Sequence, residues 1–148
     1  MVEKDQQTLF NDICARLPYG LKCQYKAPSE GAFADKPEYY DIIGIPDANR
    51  VDIIACDKYR FASVPLEEIK PYLRPMSSMT EEEFLEYHNI KYNKVTCRNN
   101  YERIDVGKFH NVGIVPIEDY LDWLNAHHFD YRGLIPMGLA LEAKEGMY

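Results

Sequence analysis

From Leu21 to Val64 the chain is cut into apolar runs of five to seven residues, and this punctuation constrains the fold more than any other feature. The runs are LKCQY (Leu21–Tyr25), YYDIIGI (Tyr39–Ile45), VDIIAC (Val51–Cys56) and YRFASV (Tyr59–Val64). Short stretches rich in Ile, Val and Tyr, bounded by turn-formers, read as strands. A loop rich in Pro, Ser and Gly (Ala27–Pro37) follows the first. PDANR joins the second to the third, a turn sequence that makes the pair a hairpin candidate.

Helices are expected at three places. Asp5–Leu17 carries Leu9, Phe10, Ile13 and Leu17 on one stripe and is ended by Pro18 and Gly20. Thr80 opens TEEEFLEYH, where Thr80 and Glu83 form a capping box, which places a helix from Glu81 to about His88. Ile117–His128 is the third. LEEIKPYLRP (Leu66–Pro75) reads as a short helical turn, because Pro71 and Pro75 deny it length. KVTCR, YERIDV (Tyr101–Val106) and HNVGIV (His110–Val115) read as further strands, and LALEA (Leu139–Ala143) as a last one. A chain of 148 residues suits one domain with a self-sufficient core. The expectation is therefore a single α+β domain over residues 1–148, with a mild boundary near Ser77–Thr80. Its short antiparallel strands would form a bent sheet or a small Tudor-like barrel, with three helices.

Charge limits the partners. The net charge is −7, which argues against a general affinity for nucleic acid, since phosphates must be neutralised by cations. The stretch 91–110 is the exception, with five positive and two negative groups. Lys91, Lys94, Arg98, Arg103 and Lys108 would meet phosphates there, and Tyr92 and Tyr101 would stack on bases. Tyrosine is abundant, with twelve residues. Its apolar body and polar tip suit half-buried sheet positions or a partner surface.

The segment WLNAHHFDYRGLI (Trp123–Ile135) invites a metal or catalytic reading. Helix geometry speaks against it. Ile117, Leu121, Leu124 and His128 fall near one line, with Glu118, Asp119 and Asp122 on the other side. His127 and His128 diverge by about 100°, whereas helical ligand pairs sit three or four residues apart. At those offsets stand Trp123, Leu124 and Asn125. His88 has Phe84 and Leu85, and His110 stands alone. His128 is expected to be buried, neutral and hydrogen-bonded, and His127 to be more exposed. Asp130 is expected to cap the following turn, and Arg132 to meet an acidic neighbour.

Other chemistry fails on spacing. Gly133 and Gly138 have phosphate-loop spacing, but Leu139 and Ala140 replace the required Lys and Ser/Thr. There is no G-x-G-x-x-G and no G-x-S-x-G. The carboxylate pairs Glu118/Asp122 and Glu82/Glu86 read as solvated helix faces. Cys97 beside Arg98 has no histidine partner. Cys14, Cys23, Cys56 and Cys97 form no C-x-x-C pair, so reduced and mostly structural thiols are expected. The start MVEKDQQTLF shows no signal-peptide pattern, and GLIPMGLAL is too short to span a membrane. The expectations are a cytoplasmic protein without membrane contact, and neither a metal nor a cofactor.

Three stretches carry a resemblance: LPYGLKC (Leu17–Cys23), KPYLRPMSSMT (Lys70–Thr80) and FDYRGLIPMGLALEAKEGMY (Phe129–Tyr148). They resemble a family of small uncharacterised proteins from gut-anaerobe genomes, their prophages and phages. The resemblance implies a phage or mobile-element context and supplies no activity or functional residues. The functional expectation is a non-catalytic binding or adaptor protein, not an enzyme, with an unknown protein partner. The alternative is a nucleic-acid-associated accessory protein using residues 91–110.

Overall fold

The computed structural model describes residues 2–90 and 117–148, without the side chains of 117–119. Among these residues six strands form one sheet in the order β4-β3-β2-β1-β5-β6. They are β1 (Lys22–Tyr25), β2 (Tyr40–Asp47), β3 (Arg50–Ala55), β4 (Phe61–Pro65), β5 (Ile69–Leu73) and β6 (Leu141–Glu142). All neighbouring pairs are antiparallel except β5 with β6. Helix α1 spans Glu3–Arg16, α2 residues 81–90 and α3 Ile117–Ala126. The protein is α+β with an open, bent sheet. Among the described residues β4 and β6 end the sheet without pairing to each other, so the sheet is not closed into the alternative barrel. The expected strands KVTCR, YERIDV and HNVGIV lie outside the described residues.

The hairpin between the second and third runs is real. Asp47 pairs with Arg50 across Ala48 and Asn49, and the Asn49 N–H donates to the Asp47 carboxylate at 2.8 Å. This local bond is why Asp and Asn favour turns. Register shifts at Ile42/Gly44 and Gly44/Asp47 disrupt β2, and bulges of this kind bend a strand.

Leu66–Pro75 departs from expectation. One 3-10 turn (Leu66–Glu68) is followed by β5, which contains Pro71. The physical reason is the two-residue period: Ile69, Pro71 and Leu73 are buried on one face, while on the other Lys70 is exposed and Tyr72 is buried. Proline is tolerated because its missing N–H is not needed. The Lys26 N–H bonds the Glu68 carbonyl, so ladder alternation turns the nitrogen of Pro71, opposite Cys23, away from β1. On its other side β5 meets β6 only at Tyr72 and Leu73. LALEA likewise contracts to the two residues of β6.

α1 lays Leu9 and Ile13 on the inner sheet face with Val51, Ile53, Leu66, Ile69 and Leu73. A smaller cluster gathers Trp123, Leu124 and Phe129 with Met79, Tyr87, Ile90, Tyr120, Leu121 and Tyr131. Tyrosine serves packing more than surface: Tyr40 and Tyr72 are buried, and Tyr25, Phe33 and Tyr40 make edge-on contacts at 5.0–6.1 Å.

The described cysteines are free thiols. Cys23 is buried, Cys56 half-buried and Cys14 exposed, so a structural role does not extend to Cys14. Burial pushes the Cys23 thiol up, and the Cys14 thiol also lies above its ordinary value through desolvation. A thiol reagent at pH 8 should label Cys14 in the native protein. Cys23 should react only on unfolding, because thiolate fraction and access set reactivity. Peptide mass spectrometry of the labelled protein checks the order, and Cys23 labelling at the Cys14 rate would contradict the packing.

Candidate interaction surface and the histidine seam

The outer face of the sheet has a side-chain row set by register: Lys22 on β1, Asp41 on β2, Ile54 on β3 and Phe61 on β4. Asp41 accepts from Lys22 Nζ at 2.8 Å and is also paired with Lys58. Lys22 lies over the Tyr39 ring at 4.6 Å. Phe61 is 74% exposed, Ile43 53%, and Tyr59, in the turn before β4, 90%. Beside them Arg60 pairs with Asp35 and Asp57; it holds the Asp35 carboxyl below its usual range, and the Tyr59 N–H together with Arg60 does so for Asp57. The surface is thus apolar with a charged rim.

The adjoining β4 edge is guarded. Ala55 N–H bonds the Arg60 carbonyl and Leu66 N–H the Asn49 carbonyl, so by alternation Phe61, Ser63 and Pro65 direct their peptide groups outward. Pro65 has no N–H to offer, and the Arg50 guanidinium covers the Ser63 carbonyl. Such devices blunt strand addition, which leaves the face, not the edge, as the available contact.

The histidine pair is part of a helix ending. His128 N–H bonds the Asn125 carbonyl at 3.1 Å, and Phe129 N–H the Leu124 carbonyl at 3.0 Å. With φ +59° at His128, these are the two bonds of a Schellman motif, and Phe129 stacks on Trp123 at 5.8 Å as its apolar contact. The helix therefore ends at Ala126, two residues before the expected limit, and His128 does not lie on the helical stripe. It is buried all the same, 3% exposed, because the chain turns back into the protein at that point. Its Nε2 donates to the Tyr19 carbonyl at 3.1 Å, and its ring stacks on Tyr148 at 3.8 Å. Burial is the main cause that lowers its pKa to about 4, so it is neutral at pH 7. His127 is half-buried and stacks on Trp123.

Beneath this turn lies an ion pair that the charge pattern did not reveal. Asp12 and Arg16 are both 0% exposed and paired at 2.8 Å. Arg16 Nη2 also donates to the Phe129 carbonyl at 2.8 Å, while Nη1 has no partner among the described residues. Arg132 reaches Asp12 at 3.2 Å, the acidic neighbour expected of it. Asp130 accepts the N–H groups of Leu134 and Ile135, which caps the turn. The signal for the buried pair was the i,i+4 spacing of Asp12 and Arg16 beside Leu9 and Ile13.

The capping box forms as expected: Glu83 N–H bonds Thr80 Oγ1 and Thr80 N–H bonds the Glu83 carboxylate. Glu83 is in addition clasped by Arg74 at 2.7 and 2.8 Å, which holds its carboxyl at about 2. Arg74 covers the Phe129 ring at 4.3 Å, so this clamp ties α2 to the turn.

Lys91, Tyr92, Lys94, Arg98, Tyr101, Arg103 and Lys108 lie outside the described residues, as do Cys97 and His110. Glu82, Glu86 and Asp122 are exposed. Among the described residues no group of three or more His, Cys, Asp or Glu side chains is placed to hold a metal ion, and no helix is long and apolar enough to cross a membrane. The described residues define an α+β protein whose outer sheet face carries exposed apolar side chains on β2 and β4. Comparison with protein-family models, curated proteins and solved structures finds no match to this chain.

Proposed function

We propose that this chain is a non-catalytic binding or adaptor protein that meets a protein partner through the outer face of β2–β4. The observation that supports it is the pair Tyr59 and Phe61, 90% and 74% exposed at the end of the outer sheet face beside Ile43. Clustered exposed aromatics with a charged rim are the composition of protein contact sites. A cytoplasmic setting fits the free thiols, and a phage or mobile-element context follows from the resemblance.

Replacing Tyr59 and Phe61 by Ser should leave stability within about 1 kcal/mol, since both side chains are solvated. Affinity for a partner recovered from the native host should fall by at least about tenfold, the loss expected when aromatic anchors are removed. Titration calorimetry with the purified partner measures it. Unchanged affinity would refute the assigned surface. Tight, salt-dependent binding to single-stranded nucleic acid would favour the accessory-factor reading instead.

A further inference from the structure

We propose that His128 and Tyr148 form a proton-operated latch, which holds residues 141–148 against the sheet while the His128 ring is neutral and releases them when it gains a proton. This device does not depend on the docking surface above.

Besides the β5–β6 pairing and the Lys144–Glu38 ion pair, three bonds fasten the segment. Tyr148 Oη donates to the Tyr72 carbonyl at 2.8 Å and accepts the Lys22 N–H at 3.0 Å. Ala143 N–H donates to the Leu73 carbonyl at 2.8 Å. The Tyr148 ring is held by its stack on His128. Because a carbonyl only accepts, the His128 proton must sit on Nε2 to bond Tyr19. Nδ1 is then a bare, buried nitrogen with no partner among the described residues.

A second proton would create a buried N–H at Nδ1 with nothing to receive it. The charged side chains that bear on the ring are cationic: Arg16 from α1 and Lys22 from β1. The acidic groups nearby are committed elsewhere. Asp12 serves Arg16 and Arg132, Asp41 serves Lys22 and Lys58, and Asp130 serves Leu134 and Ile135. Releasing Tyr148 opens the ring to water, which hydrates the new N–H.

The sign follows from linkage. The closed form holds the ring at about 4, and the open form returns it to the ordinary 6.5, so opening takes up a proton. Closure is unaffected above pH 6.5 and weakens as pH falls toward 4. At pH 5 the opening equilibrium should be about 30-fold larger than at pH 8.

Hydrogen exchange, corrected for intrinsic rates, reads this. Protection of the Ala143 and Lys22 amides should fall about 30-fold between pH 8 and pH 5, with the Ile53 amide in the hairpin unchanged. His128→Asn, a residue that tolerates φ > 0 and does not titrate, should abolish the pH dependence. Equal protection at both pH values, a parallel fall at Ile53, or a retained fall in His128→Asn would each overturn the latch. If that variant does not fold, NMR titration of the His128 ring in the native protein decides: a midpoint near 4 supports the latch, and one near 6.5 removes its basis.

Discussion

Asp12→Leu is expected to lower the free energy of unfolding by about 3–5 kcal/mol, among the largest effects of any single replacement in this chain. The cause is the guanidinium left behind. Arg16 is wholly buried, and without Asp12 its charge keeps only the Phe129 carbonyl and the Tyr131 ring, 5.4 Å from its centroid. Breaking a buried pair by removing one partner costs that much because the other charge remains desolvated. The double variant Asp12→Leu/Arg16→Met should recover most of the loss, since no buried charge persists and the Phe129 carbonyl still accepts the Tyr131 N–H. Denaturant unfolding of both variants tests this. If the double variant were as unstable as the sum of the singles, the pair would not be coupled as the geometry requires.

His128→Asp should cost about 3 kcal/mol or more, and His127→Asp well under half of that. At 128 a carboxylate would face the Tyr19 carbonyl, two acceptors with no proton between them, and Tyr148 would lose its stacking partner. At 127 the side chain is half-buried and solvent meets the new charge. Thermal unfolding of the two variants at pH 7 gives the comparison. Equal, mild effects on stability combined with loss of a measurable activity in both would reopen HHFDYR as a site.

Local chemistry made some elements legible in advance. The Thr80–Glu83 box, the PDANR hairpin turn and the Pro18–Gly20 stop depend on bonds and dihedrals within a few residues, so they survive any tertiary context. Gly20, for instance, adopts φ +75°, which its lack of a Cβ permits without strain. The burial of His128 was also expected, though for a reason that did not hold. Extending the helical stripe through Leu124 placed it inside, whereas the Schellman turn put it there.

What only the tertiary structure decided involves partners far apart in sequence. Strand β5 was read as a helical turn because its prolines were weighed and its two-residue alternation was not. It is a strand because β1 pairs with it across 44 to 48 residues. Barrel or open sheet could not be settled from short strands in series, since closure is a property of the two outermost strands, and here β4 and β6 end apart. Asp12 and Arg16 belong to the core because Phe129, Tyr131 and Arg132 close over them. The sequence by itself determined the α+β class, the turns and the caps, which are short-range bonds. Tertiary structure decided which charges are buried and which aromatics remain outside, because burial depends on what the rest of the chain brings alongside.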